Sequence, residues 1–391
     1  MSIVFIYDGF TFPDGDAAAN RVHSYSKGFI ENGFNVHVIC FANQYDAPDD
    51  GIINGVKYYY AFGKRKRSKF FIVRTSQKIL KFFKTLSLLR RINKKDKVAV
   101  IVVYTTIFGT HIYSWMLSRI TGTRIIKEIS EHPMKPYFNS GAFLTKIGLL
   151  KLRTELYFTD GILCISKFLV EYFKSHGFDS RRLLIVPSTV DPSRFNHDGL
   201  PSPCPYRYIG YFGGLTFERD NINLLVEAFA AIADKFPDMR LVLGGFSKPE
   251  EKKQLENLIS DLGIGPRVVL LKYLPREEIT RYIKHSDILV MVRGTDLKAQ
   301  ASFPSKIIEY LATAKPVITV NVGEIRDYLS DGVNAFIVEP GNSRAIAEKI
   351  ESVLAGYEKA LEVGHTGKEL THTIFHYNYQ AGRILRFIET L

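Results

Sequence analysis

The residues whose types and spacing best suit chemistry lie in one run, Phe303-Pro304-Ser305-Lys306-Ile307-Ile308-Glu309-Tyr310-Leu311, which continues to Pro316-Val317-Ile318. Pro304 fixes its own φ and suits a first helical turn. Ile307, Ile308 and Leu311 recur at helical spacing, and Lys315-Pro316 stops the helix before the β-branched run from Val317 to Val320. The pattern predicts a helix feeding a buried strand. The loop before it carries Gly294, Ser302 and Ser305, so free backbone N–H groups at a positive helix end could receive phosphate. Glu309 stands roughly 7–8 Å along the axis from Pro304, about the separation of a nucleotide's diphosphate from its ribose. A carboxylate there could accept hydrogen bonds from two vicinal hydroxyls. Taken alone, Glu309 reads first as the solvent-facing acid of an amphipathic helix, and context must overturn that.

Two other stretches carry candidate chemistry. Gly210, Gly213 and Gly214 end a predicted strand and lead to a helix, and their missing Cβ atoms would let a diphosphate or sugar approach the backbone. In Ile129-Ser130-Glu131-His132-Pro133, a histidine and an adjacent carboxylate follow a strand, where they could hydrogen-bond a polar ligand and steady developing charge.

These residues need a scaffold of alternating strands and helices, and the hydrophobic pattern supplies it. Strands are predicted over 2–7, 35–42, 56–62, 98–104, 124–129, 161–166 and 183–187, with helices over 18–32, about 70–91, 109–121, 142–157 and 167–175 between them. A proline-rich segment, Pro187 to Pro205, follows and reads as a linker. A second series repeats the alternation, with strands over 207–212, 240–244, 267–271, 287–292, 316–320 and 334–338, and the tail from 342 to 391 is helical throughout. Such βαβ alternation implies parallel sheets covered on both faces, with ligands at the carboxyl ends of the strands.

Composition bounds the partners. The chain of 391 residues is 46% hydrophobic, as expected of a globular protein of two or three domains. No apolar run is long enough to span a bilayer and the start carries no leader pattern, so a cytoplasmic location is expected. Cys40, Cys164 and Cys204 lack any paired metal spacing, and no metal or cofactor is expected. The formal charge of +12 is concentrated in residues 64–97, where fourteen Lys or Arg face the single acid Asp96. Phe70, Phe71, Ile72, Leu80, Phe82 and Phe83 lie among those cations, the composition of a basic amphipathic helix for an anionic membrane surface. Nucleic acid is an unfavoured partner because no reading module is present.

Several phrases in order resemble the retaining glycosyltransferases of family 4, the GT-B enzymes of two doubly wound Rossmann-like domains with an interdomain cleft. Ile185-Val186-Pro187-Ser188-Thr189-Val190-Asp191 with Phe195 resembles the family's join between domains. Leu274-Pro275-Arg276-Glu277-Glu278 through Ser286-Asp287-Ile288 resembles a helix and strand of its second domain. The run from Pro304 resembles the form found in polysaccharide and surface-glycan enzymes. The resemblance implies an acceptor domain over 1–190, a nucleotide-sugar domain over 191–370, and a last helix over 371–391 that crosses back to the first domain. It implies a nucleotide-sugar donor with Glu309 on its ribose and the base near Tyr273 and Leu274. It also implies an acceptor that is a glycan or a lipid-linked glycan, Gly15 in a loop over the substrates, and His132 on the sugar face.

The departures from the family pattern are specific. The family's Arg and Lys for the donor diphosphate align with Gly214 and Asp220, and the first Glu of its paired motif aligns with Ala301. Arg219 and Lys306 are the expected substitutes, with Arg293 and Lys298 near the same helix. A chain lacking those groups could also be a glycosyltransferase-like subunit without turnover at the membrane, and that alternative stays open at this stage.

Overall fold

The computed structural model describes residues 1–8, 12, 17–41, 50–61, 69–138, 140–196, 199–272 and 274–391, without the side chains of Arg74, Lys78, Arg276 and Glu277. The chain divides into two compact units, residues Met1–Thr189 with Tyr377–Leu391, and residues Val190–His376.

Unit 1 is built on an eight-stranded sheet of order β3-β4-β2-β1-β5-β6-β7-β8. Its strands are β1 (Ser2–Tyr7), β2 (Asn35–Cys40), β3 (Gly51–Ile53), β4 (Val56–Tyr60), β5 (Val98–Tyr104), β6 (Arg124–Ile129), β7 (Gly161–Cys164) and β8 (Leu183–Ile185). The helices are α1 (Ala17–Glu31), α2 (Phe71–Lys95), α3 (Phe108–Thr121), α4 (Ala142–Tyr157), α5 (Lys167–Ser175) and, from the far end of the chain, α15 (Tyr377–Thr390). The central strands read as continuous apolar runs because both faces are covered. Along β1, Ile3, Phe5 and Tyr7 point to the face packed by α1 and α15, and Val4 and Ile6 to the face packed by α2 and α3. Gly28 marks the tight contact of α1 with α15: a Cβ there would lie 2.5 Å from that of Ala381. Arg21 of α1 is buried, pairs with Glu128 at 2.7 Å, and donates to the carbonyls of Val186 and Pro187.

The pattern reading differed here in one element. A single strand was expected over 56–62, whereas β3 and β4 form an antiparallel hairpin joined through Asn54 and Gly55. Both turn residues have positive φ, 49° and 80°, as a two-residue type I′ turn requires.

Unit 2 holds a six-stranded sheet of order β11-β10-β9-β12-β13-β14. Its strands are β9 (Arg207–Phe212), β10 (Met239–Gly244), β11 (Val268–Leu271), β12 (Ile288–Met291), β13 (Val317–Val320) and β14 (Phe336–Val338), and every neighbouring pair is parallel. The helices are α6 (Phe217–Asp220), α7 (Ile222–Ile232), α8 (Pro249–Asp261), α9 (Arg276–His285), α10 (Leu297–Gln300), α11 (Ser305–Leu311), α12 (Ile325–Tyr328), α13 (Ser343–Ala355) and α14 (Tyr357–His372). The strand order reverses direction between β9 and β12, as it does between β1 and β5 in unit 1. Each reversal leaves a crevice beyond the carboxyl ends of the two strands, where two connections depart to opposite sides.

The focal helix is shorter than its sequence pattern. Pro304 is extended, with ψ 117°, and caps α11 from outside, so the first helical turn begins at Ser305. The helix ends at Leu311, and Ala314 turns the chain with a positive φ of 61° before β13. The tail is three helices with a break at residues 373–376.

Candidate functional site

The crevice between β9 and β12 in unit 2 is lined by cations. Lys306 extends from α11 so that its ammonium donates to the Tyr211 hydroxyl at 2.6 Å and to Asp220 Oδ1 at 2.9 Å. It lies directly over the turn after β9: a Cβ on Gly213 would stand 1.9 Å from Lys306 Cε, so any larger residue there would push the lysine out of this position. Gly214 plays the same part for Asp220, whose Oδ2 would be 2.6 Å from an added Cβ. That carboxylate also accepts from the Thr216 hydroxyl at 2.8 Å. Arg293, which follows β12, donates to the Ser302 hydroxyl at 2.6 Å.

The charges of Lys306, Arg219 and Arg293 act on one another, with Asp220 the acid that balances them most closely. Burial lowers the basicity of both Lys306 and Arg293, and the neighbouring cations lower it further. Burial alone would raise the acid Asp220, yet Lys306 and the hydroxyls of Thr216 and Tyr211 hold it below the ordinary carboxylate range. A surplus of positive charge depresses acids and bases alike, and this cluster does both. Its Lys306 side chain keeps 22% of its surface open to solvent, so the surplus can reach a ligand. Such a cluster at a strand-end crevice suits an anion of two charges or more.

Glu309 lies one helical turn beyond Lys306 and is half-buried, with its carboxylate 3.9 Å from the guanidinium of Arg194 in the short 3-10 turn Pro192–Phe195. The adjacent Tyr310 is buried and accepts the Phe212 N–H at 2.7 Å, which ties α11 to the end of β9. On the other flank of the glycine turn, a Cβ at Gly245 would fall 1.6 Å from the Gly213 carbonyl oxygen, so the turns after β9 and β10 touch backbone to backbone.

In unit 1, His132 follows β6 and is walled by the rings of Phe138, Phe168 and Tyr172. The Met134 N–H donates to its Nδ1 at 3.1 Å, which leaves Nε2 as the protonated nitrogen of the neutral ring. Burial, with His176 nearby, pushes the imidazole below its ordinary pKa and keeps it neutral. Glu131 is exposed and paired with Lys135 at 2.6 Å.

The profile of glycosyl transferases group 1 matches residues 194–370, and that of Glycosyltransferase Family 4 matches residues 18–194. The chain belongs to glycosyltransferase family 4. Relatives of this family include a D-inositol 3-phosphate glycosyltransferase of Corynebacterium urealyticum, 27% identical over 46% of this chain and 45% of that protein. The capsular polysaccharide biosynthesis glycosyltransferase CapM of Staphylococcus aureus is 30% identical over 43% of this chain and 42% of that protein. Each of these matches thus spans less than half of the curated relative. Among solved structures, Anabaena HepE in complex with UDP-glucose superposes with a TM-score of 0.72 at 16% identity over 100% of both chains, which establishes the shared GT-B fold.

Against the family 4 pattern, unit 2 brings Gly213, Gly214, Lys306 and the charges of Arg219 and Arg293 together, and holds Glu309 on the same helix as Lys306. Pro304 and the exposed Ser305 form the entry to that helix. Leu274 is half-buried before α9. Tyr273 and Gly15 lie outside the described residues, as do Lys64, Arg65, Lys66 and Arg67. Sequence reasoning missed Asp220 as the partner of Lys306 and Arg194 as the partner of Glu309. Asp220 had been noted only as the occupant of a lysine's place, although an acid beside so many cations was itself a signal. Among the described residues no group of three or more His, Cys, Asp or Glu is placed to hold a metal.

Proposed function

We propose that this protein is a retaining glycosyltransferase that moves a sugar from a nucleotide-sugar donor to a glycan or lipid-linked acceptor at the cytoplasmic face of a membrane, without a metal. The observation that carries the reading is the cluster of Lys306, Arg219 and Arg293 around Asp220 at the β9–β12 crevice. A leaving nucleoside diphosphate gains charge as the glycosidic bond breaks, and a fixed cationic site stabilises that charge without reorganising. The cluster stands in for the family's aligned Arg and Lys, which are Gly214 and Asp220 in this chain. Glu309 accepts the ribose hydroxyls, the role that the family resemblance implies and the helical spacing agrees with. The donor complex of HepE and the names of the curated relatives support a nucleotide sugar as the class of donor.

In the proposed reaction the bond from the anomeric carbon to the donor phosphate oxygen breaks and a bond to the acceptor oxygen forms on the same face. The acceptor's proton passes to the departing diphosphate. No protein nucleophile takes part. His132 offers its Nε2 proton to a sugar hydroxyl while remaining neutral, and the adjacent Glu131 serves the same sugar face. The membrane part of the reading rests on α2, whose first half exposes Phe71, Ile72 and Phe83 among cations. No helix among the described residues is long and apolar enough to cross a membrane.

The test is a thermal-shift and calorimetry panel of UDP, GDP, ADP and CMP with their sugars, on wild type and on Glu309→Ala, because a ligand of the native state raises its apparent stability. One nucleotide is expected to shift the wild type, and the shift is expected to shrink in the variant. Absence of any shift would favour the turnover-free membrane subunit instead.

A further inference from the structure

The exposed apolar residues of unit 1 are not confined to α2. In α4, Phe143 is 75% and Leu150 66% exposed, and Leu144 and Tyr157 are also open to solvent. The pleat of β6 fixes which side α4 occupies. Ile126 packs on the α1 and α15 face, whereas Ile125 packs with Leu117 of α3 on the other. Lys127, two residues on from Ile125, reaches the Glu155 carboxylate of α4. The helices α2, α3 and α4 therefore cover one face of the sheet, with α3 packed between the other two. Every ionisable acid or base of fixed charge in α2 and α3 is a Lys or Arg, and the single carboxylate in α4, Glu155, is buried against Lys127. The three helices thus offer apolar side chains and cations to solvent, and the adjoining carboxylate of Asp160, just after α4, is paired with Arg119 of α3.

Phe71 and Ile72 of α2 and Phe143 and Leu144 of α4 sit in the first turns of their helices, whereas Leu150 and Tyr157 continue the exposed apolar surface along α4. A helix following a parallel strand starts at that strand's carboxyl edge, so the first turns of α2 and α4 lie at the edge of the sheet where β6 delivers His132. Farther along α2, Leu86, Leu89 and Ile92 turn into the core. Toward its middle α4 packs directly on the loop that holds His132. A Cβ on Gly148 would be 2.7 Å from the Tyr137 ring and 2.9 Å from Met134 Cε, and Met134 is the residue whose N–H fixes the His132 tautomer.

We infer that α2, α3 and α4 form a single docking face for an anionic bilayer, with the starts of α2 and α4 immersed at the His132 edge, so that a lipid-linked acceptor enters that edge directly from the membrane. Cations without carboxylates match anionic head groups, and the aromatic and aliphatic side chains among them match the acyl boundary. The inference rests on the membrane reading above and adds a second point of attachment, α4, which fixes the orientation of the face where α2 alone would leave it free to roll.

The experiment is flotation of the full chain with phosphatidylglycerol–phosphatidylcholine vesicles against pure phosphatidylcholine vesicles. It uses wild type, an α2 variant (Phe71→Ser, Ile72→Ser, Phe83→Ser) and an α4 variant (Phe143→Ser, Leu144→Ser, Leu150→Ser). A polarity-sensitive dye is attached separately through Leu144→Cys and, as a control, Lys253→Cys on α8; the native cysteines are all buried. The substituted side chains are exposed, so thermal unfolding serves as the check on folding. Each variant is expected to lose roughly tenfold or more in vesicle partition, since several apolar side chains leave the acyl boundary. The dye at position 144, and not at 253, is expected to report an apolar environment on anionic vesicles. An α4 variant that floats as wild type does, with the dye at 144 still in water, overturns the inference while leaving α2 as a membrane helix. Failure of wild type to float, with salt-dependent retention by duplex DNA or an acidic protein, overturns both.

Discussion

Replacing Lys306 with Met removes the ammonium that bridges the glycine turn and the acid, while keeping most of the aliphatic stem that lies over Gly213. In the free protein this ammonium serves Tyr211 and Asp220, at 2.6 and 2.9 Å, and it remains partly open to solvent. A diphosphate oxygen accepting from it gains a charge-assisted hydrogen bond, worth about 1.5–3 kcal/mol in such a setting. The variant is therefore expected to bind its nucleoside diphosphate roughly ten- to a hundredfold more weakly. Arg219 and Arg293 remain, so binding is reduced and not abolished. The loss leaves Asp220 with the Thr216 and Tyr211 hydroxyls, and the fold is expected to weaken by less than the roughly 3–5 kcal/mol of a fully buried broken pair. Calorimetry separates the two effects: the nucleoside without phosphates should bind wild type and variant alike, and the diphosphate's salt dependence should be shallower in the variant. Equal weakening of nucleoside and diphosphate would show collapse of the site, and unchanged diphosphate affinity would remove Lys306 from the donor site. Either result refutes the electrostatic argument.

Glu309→Gln should lower affinity for the ribonucleotide by about tenfold and for its 2′,3′-dideoxy analogue scarcely at all, measured by titration calorimetry, since a carboxylate bond to hydroxyls is worth about 1.5 kcal/mol or more. Gly213→Ala forces a Cβ to within 1.9 Å of Lys306 Cε; the expected result is a loss of diphosphate binding comparable to that of Lys306→Met, read in the same titration. Arg21→Met leaves Glu128 buried without its partner and is expected to destabilise unit 1 by about 3–5 kcal/mol in urea unfolding. Burial holds His37 at a pKa of about 4 and His111 at about 3, below the ordinary 6.5. Their unfolded forms bind protons first, so stability is complete above about pH 6.5 and falls as the solution is acidified toward pH 4. His37→Gln should make that fall shallower by about 2 kcal/mol, and an unchanged slope in unfolding titrations would refute the assignment.

The parallel architecture was legible because strands buried on both faces announce themselves as apolar runs, Ser2–Tyr7 and Val98–Tyr104 being clear cases, and because helices between them carry a different period. Short elements were not. The three residues Gly51–Ile53 have too few side chains to show a period, and only Asn54-Gly55 marks the hairpin. Within the site, Glu309 and Lys306 stood out because one helix carries both. Asp220 and Lys306 lie 86 residues apart and meet because β9 and β12 are neighbours. No spacing rule reports such a meeting. The meaning of Gly213 was legible only in part: its lack of a Cβ reads as room for a ligand, whereas the structure gives that room first to the Lys306 side chain. The start of α11 was misplaced by one residue because proline favours both the first helical position and the extended residue before it.

The helix α15 has a consequence for the order in which the protein is made. Ala381, Ile384, Phe387 and Ile388 belong to the same packed cluster as Ile3, Phe5 and Phe29, although all of unit 2 intervenes in sequence. During synthesis unit 2 has every residue it needs once His376 has left the ribosome, while the earlier-made unit 1 still shows an open apolar trough along α1. The first half of the chain must therefore wait, with that trough uncovered, for its last fifteen residues. A nascent chain stalled near residue 376 presents a finished C-terminal half and an N-terminal half that a chaperone would still recognise.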